Sequence, residues 1–185
     1  YNNTLTGTQS LYARIPQRSV RLLIPFLCAG GLGLVYPGVL GGGHPLTETL
    51  LSNTLTLGAL CLLLAAKFGF SMLSFGSGAP GGIFLPLLIL GATVGSVYSR
   101  IGVPLGLDAR FLQNFIFLGM AGAFSAIVRA PVTGIVLISE MAGGFGHLLS
   151  FSLVSFAAYL VPDMLACRPV YDLLLDRLLG RSTRR

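Results

Sequence analysis

The sequence predicts an all-α, polytopic membrane protein built of broken and tilted helices. Three observations carry that prediction. Of 185 residues, 54% are apolar and only 10% are Asp, Glu, Lys or Arg, whereas a soluble domain carries about 25% charged residues. The apolar runs are numerous but interrupted, most falling short of the roughly 20 residues of a full bilayer span. Glycine occurs 25 times and proline 10 times, a density that breaks helices and lets their backbones pack closely. With a mean hydropathy of +0.82, the chain has too few charges to keep a surface in water. An ordinary soluble domain, a disordered chain and a nucleic-acid-binding module are excluded.

Taken in order, Ser19 can cap a helix over 20–36, with Pro25 placed to kink it. The run Gly41-Gly42-Gly43-His44-Pro45 breaks the chain, and a short polar-faced stretch follows over 46–53. A helix over 55–73 carries Lys67 inside it; after a glycine-rich turn, 83–98 is apolar again and 104–108 reads as a loop. A further helix over 111–127 is ended by Arg129 and Pro131. Pro131–Met141 makes a short helix, Gly143-Gly144 a turn, and 148–161 another helix. Pro169, suited to a first helical position, opens an amphipathic segment over 170–179. The expectation is seven or eight helices, several too short to cross. Short helices that end at membrane depth leave backbone N–H groups unpaired, tolerated only where protein or a polar cavity surrounds them. Such broken helices point to a transport site near the midplane. Small-residue pairs at four-residue spacing (Ala29/Gly33, Gly91/Gly95, Gly119/Ala123, Gly122/Ala126) fit close helix packing.

Charge is concentrated at the ends. Arg14, Arg18 and Arg21 lie near the N-terminus, and Arg168, Arg177, Arg181, Arg184 and Arg185 outweigh Asp172 and Asp176 near the C-terminus. Between them, Lys67, Arg100, Arg110 and Arg129 balance Glu48, Asp108, Glu140 and Asp163. Positive charge beside spanning ends marks the cytoplasmic side, so both termini are expected inside. The basic tails are topology signals, not a nucleic-acid footprint. The chain begins at Tyr1 with no basic region or cleavage site ahead of its first apolar stretch, so no signal peptide is expected and a partial chain is. Cys28, Cys61 and Cys167 lack any C-x-x-C spacing, and the histidines stand too far apart for a metal site.

The chemistry is carried by Gly76-Ser77-Gly78-Ala79-Pro80-Gly81-Gly82-Ile83-Phe84-Leu85-Pro86. A glycine-rich turn delivers the chain into the start of an apolar helix with no acid or base nearby in sequence. The first N–H groups there, at Ile83 and Phe84, together with about half a positive charge from the helix dipole, form an anion site without a cationic side chain. Gly81 and Gly82 leave the backbone open to an ion, and Pro86 falls where its missing N–H costs little. Partial charges suit conduction, which needs binding weak enough for release. A plain packing loop is the alternative reading of the same spacing. No Lys-Ser/Thr follows, so this is not a P-loop.

The segment from Ser77 to Pro86 resembles the signature that opens helix N in the CLC family of chloride channels and chloride/proton antiporters. The resemblance continues in order. Gly33-Leu-Val-Tyr-Pro37 with Gly41-Gly-Gly43 is similar to the end of helix K. Gly119-Met-Ala-Gly122, Arg129-Ala-Pro-Val-Thr-Gly134 and Ser139-Glu-Met141 are similar to helices O and P. Arg168-Pro-Val-Tyr171-Asp-Leu-Leu is similar to the start of helix R. It implies half of an inverted-repeat transport domain: 1–18 the cytoplasmic end of a preceding helix, 19–181 membrane helices, 182–185 a basic tail, and no CBS domain. It further implies chloride as the transported ion, held by the Ile83 and Phe84 N–H groups and the Tyr171 hydroxyl, with no other cofactor. A homodimer is implied, its interface drawn from 148–161 and the short helix before it. The family's serine anion ligand and gating glutamate lie in the N-terminal half of the fold and have no counterpart here, so the chain alone should supply half a pore; Ser77 is not that ligand.

Alternatives remain at this point: a non-conducting half-length subunit or scaffold and, as an enzyme, a serine protease using Ser77 with His44 or His147, which lacks a base placed beside its nucleophile. No covalent chemistry is expected. Glu140 is expected to pair with Arg129 or the backbone, Arg129 to mark a helix end reaching headgroup water, and Glu48 and His44 to lie in a solvated loop.

Overall fold

A computed structural model describes residues 1–40, 44–52, 54–79 and 81–179. The expected break at Gly41–Gly43, Asn53, Pro80 of the glycine-rich turn and the basic tail at 182–185 lie outside the described residues. Nine α-helices follow one another among the described residues: α1 (Asn2–Ala13), α2 (Arg18–Val35), α3 (His44–Leu51), α4 (Leu57–Gly76), α5 (Phe84–Gly102), α6 (Leu112–Val128), α7 (Pro131–Met141), α8 (Leu148–Met164) and α9 (Val170–Leu178). Four stretches are long and apolar enough to cross a membrane: Arg18–Val35, Leu57–Gly76, Phe84–Leu105 and Phe145–Met164.

The helix over 20–36 starts earlier than Ser19 would set it. The Gln17 carbonyl accepts from the Arg21 N–H at 3.3 Å, and Arg21 Nε donates to the Ile15 carbonyl at 2.6 Å, so Gln17 is the N-cap and no side chain caps this end. The helix runs on through Pro25. At α4 a side-chain cap does form, the Ala59 N–H donating to Thr56 Oγ1 at 3.4 Å. Pro131 opens α7 at its first position, where a missing N–H removes no helical bond. α8 passes through Pro162 and ends at Met164, three residues beyond 161. The Cys167 N–H then closes the turn on the Pro162 carbonyl at 2.9 Å, and Ala166 takes a left-handed φ of 51°.

α5 lies at the centre, packed on α6 and α4; α6 in turn packs on α8 and α7, and α9 lies against α1 and α6. Leu88 and Ala92 of α5 meet Ile116 and Met120 of α6, Leu60 and Leu63 of α4, Ile138 of α7 and Phe151 of α8 in one apolar cluster. By contrast α2 turns Phe26, Leu27 and Leu34 outward, as α8 does Leu149, Leu153 and Leu160. The α5–α6 crossing is backbone on backbone. A Cβ on Gly91 would lie 2.5 Å from the Gly119 carbonyl oxygen, and one on Gly95 would run into the Phe115 carbonyl. The small-residue pairs therefore divide: Gly91, Gly95 and Gly119 make this contact, while Gly33 meets only the Leu40 side chain, at 3.1 Å.

Gly95→Ala should destabilise the protein by about 1–3 kcal/mol, since the added methyl meets rigid backbone rather than a side chain that can turn away. Unfolding in a denaturing detergent titration measures it; Gly33→Ala should cost less.

Candidate functional site at the start of α5

α5 begins beside its neighbours rather than beyond them. Ile83, 8% exposed, is its N-cap, and the Ile83 carbonyl accepts the first helical bond from Leu87 at 3.2 Å. Phe84 stands edge-on to Phe124 of α6, ring centroids 5.3 Å apart at 77°. Phe124 lies four residues inside the end of α6, so α5 starts about one turn short of that end. No side chain caps this start. The N–H groups of Ile83, Phe84 and Leu85 belong to the first turn, which has no intrahelical acceptors of its own, and Pro86 has no N–H to satisfy.

The turn from α4 is tied locally. The Ser77 hydroxyl donates to the Ser74 carbonyl at 2.7 Å and accepts from the Ala79 N–H at 3.3 Å, and Gly78 takes a φ of 79°. This serine is engaged in its own turn. Beyond it a cavity of about 500 Å³ opens, lined by Lys67, Phe70, Ser71, Ser74 and Phe75 of α4 and by Gly81, Gly82, Phe84, Leu85 and Pro86. Gly82 does not have the positive φ that would require glycine, and a Cβ on Gly81 or Gly82 would meet nothing within 4 Å among the described residues. Among those residues no packing calls for glycine at these two positions; what the missing side chains leave is open space in front of the helix start.

Lys67 corrects the expectation of a site with no cationic side chain. It lies sixteen residues before Ile83, buried in α4, and its ammonium donates to the Val39 carbonyl at 2.7 Å. The signal was present in the spacing: Lys67, Ser71 and Ser74 stand at i, i+4 and i+7 on one helical face, a polar stripe in an otherwise apolar run. Lys67 and the helix start thus line one cavity, the ammonium itself being turned to the Val39 carbonyl.

Tyr171 is not among the described residues lining this cavity. It lies in the first turn of α9 and is half exposed, whereas Val170 and Leu173 are buried. α9 is nonetheless joined to the cavity wall: Leu174 and Phe75 both pack on the cluster of Leu5, Met72 and Val170, and Phe75 lines the cavity. Glu140 is exposed, and Arg129 finds Asp163, at 3.4 Å, as its ion-pair partner. Arg129 does end α6, as its C-cap, but its side chain is only 8% exposed and does not reach outward. Two backbone carbonyls, from Tyr159 and Cys167, hold it inside at 2.8 Å each. The His147 ring lies 6.0 Å from Phe151, and Glu48 is exposed. At the far end of α5, Arg110 donates to Asp108 at 2.6 and 2.9 Å and holds its carboxyl below the usual carboxylate range. Among the described residues no group of three His, Cys, Asp or Glu could hold a metal ion.

Residues 1–163 match the family described as voltage gated chloride channel. The H(+)/Cl(-) exchange transporter ClcA of Klebsiella pneumoniae is 34% identical over 192 residues, covering 98% of this chain and 40% of the relative. The ClcA exchanger of Vibrio cholerae is 35% identical over 185 residues, covering 97% of this chain and 40% of that one. Among solved structures, the crystal structure of a slow cyanobacterial Cl-/H+ antiporter superposes with a TM-score of 0.80 at 26% identity, covering 99% of this chain and 44% of the antiporter. The chain thus spans about two fifths of the length of these relatives.

Gly82→Ala should leave stability within about 1 kcal/mol of the parent, because no strain or clash opposes the methyl. Thermal unfolding in detergent checks it, with Gly95→Ala as the contrasting case.

Proposed function

The chain belongs to the voltage gated chloride channel (CLC) family and is an integral, multi-pass membrane protein, and on that premise we propose that it forms the C-terminal half of a chloride transport pathway. Chloride is held at the start of α5 by the N–H groups of Ile83 and Phe84. The observation that carries the reading is the uncapped, buried start of α5, facing a cavity across two glycines at which an added side chain would meet none of the described residues. A halide is a weak enough partner to leave such a site, since N–H dipoles attract without a full charge at contact distance. Lys67 in the cavity wall adds long-range attraction, while its bond to the Val39 carbonyl keeps the ammonium from closing on the ion. The names of the relatives, exchangers of protons and chloride, support chloride as the ion.

The Tyr171 hydroxyl is the second ligand. A phenol is a neutral donor, and the packing of α9 on the cavity wall through Leu174 and Phe75 supports its nearness. The complementary N-terminal half brings the serine ligand and the gating glutamate, and residues there decide between channel and exchanger. Outward-facing Val132 and Val136 of α7 and Leu149 and Leu153 of α8 support a homodimer interface on that side. Arg14, Arg18 and Arg21 support a cytoplasmic N-terminal end, and the arginines from 168 onward a cytoplasmic C-terminal end.

Reconstituted alone in liposomes, this chain should give no selective chloride efflux; with the complementary half it should. Robust selective efflux from the chain alone would refute the half-pore reading. In the joined protein, Tyr171→Phe should weaken chloride binding by about tenfold, a loss of about 1.4 kcal/mol, and Gly82→Ala should weaken it without loss of stability. Calorimetric chloride binding unchanged by Tyr171→Phe would remove Tyr171 from the site.

A further inference from the structure

Arg129 is used by no part of the pathway described so far, yet it is the most heavily engaged charged side chain described. It caps α6 in a left-handed conformation, φ 67° and ψ 31°, a region that L-residues enter at a cost and that usually falls to glycine at a helix end. A strained residue persists where its surroundings over-determine it, and here they do. One guanidinium nitrogen donates to the Tyr159 carbonyl at 2.8 Å and the other to the Cys167 carbonyl at 2.8 Å. Asp163 lies 3.4 Å from it, and the guanidinium carbon lies 5.3 Å from the Tyr159 ring centroid. One buried cation therefore joins the end of α6, the last turns of α8 and the linker into α9.

The linker end of that bond matters most. Cys167 stands four residues before Tyr171, and Ala166 beside it is the second non-glycine residue with a left-handed φ, at 51°. The linker thus takes an unfavoured turn that a buried bidentate donor holds from the side. The α6 end that carries Arg129 also carries Phe124, to which Phe84 stands edge-on. α6 consequently touches the site from both directions, at the start of α5 through Phe124 and at the departure of α9 through Arg129.

We propose that Arg129 is the positioning residue for Tyr171: its guanidinium fixes the linker from which α9 departs and so sets the distance between the Tyr171 phenol and the N–H groups at the start of α5. This rests on the reading of Tyr171 as a chloride ligand. Planarity is what suits arginine to the task, because two carbonyls are held at once at a fixed spacing, which a lysine ammonium cannot reproduce.

The test is a double-mutant cycle on chloride binding, in the chain joined to its complementary half, with Arg129→Gly, Tyr171→Phe and the pair. Glycine accepts the left-handed conformation without strain, so Arg129→Gly removes the side chain while easing the backbone. Helical content should be kept, the unfolding midpoint should fall because the Tyr159 and Cys167 carbonyls lose their donor, and chloride affinity should fall on the order of tenfold. The pair should bind no more weakly than Tyr171→Phe alone, since a residue acting through Tyr171 has nothing left to position. Arg129→Lys, which keeps the charge, should fall between the parent and Arg129→Gly, and it serves in the cycle if Arg129→Gly does not fold. If Tyr171→Phe weakens binding but Arg129→Gly does not, or if the two losses multiply, the positioning role is overturned and the ligand reading stands. If Tyr171→Phe has no effect, both fall.

Discussion

The meeting of two backbones at Gly91, Gly95 and Gly119 is what the rest of the structure depends on. A helix that begins in the interior has no lipid-side partner for its first N–H groups, so its start must be held where something polar can reach it. Contact between α5 and α6 at main-chain distance does that holding. It fixes the height of α5 against α6, and with it the edge-on contact of Phe84 with Phe124 and the point at which the uncapped turn faces the cavity. Side-chain packing alone would allow α5 to slide by a rotamer change; carbonyl against Cα does not.

The sequence was most legible where local chemistry decides. Pro131–Met141 was read to the residue, because proline at a first position and a pair of glycines after the end leave little choice. α6 and α9 lay within one residue of their expected bounds, for similar reasons. The start of α2 was not legible. Ser19 looked like a cap, but the Gln17 carbonyl and the Arg21 side chain nucleate the helix earlier, and the latter bond depends on how the chain enters from α1. The glycine-rich approach to Ile83 was visible as a possible anion site, and the resemblance of its motif sharpened that. What it could not reveal was the presence of Lys67 in the same cavity, a product of α4 folding back beside the start of α5. Nor could it reveal that Arg129 turns inward, since its two shortest bonds go to backbone carbonyls, which leave no trace in residue identity.

Glycine serves two opposite ends in this molecule. At the α5–α6 crossing its missing side chain is filled by another chain segment; before Ile83 nothing among the described residues fills it. Composition alone cannot separate the two, because both are simply glycine in an apolar context. The division explains why a chain so rich in this residue still builds a well-packed centre: the glycines at the crossing let two helices come close, and those before Ile83 border open space. The cavity is bordered by the uncapped start of α5 and by Lys67, whose ammonium is tethered to the Val39 carbonyl.

The engagement of Arg129 also constrains how the protein can be made. Its two carbonyl partners lie 30 and 38 residues further along the chain, so when α6 and α7 have just been made the guanidinium still lacks both of them. A bare cation is costly in hydrocarbon, so the end of α6 gains these neutralising contacts only once α8 and the linker have been made. The order of synthesis therefore sets when this corner of the molecule can close, whatever the hydrophobicity of α6 and α7.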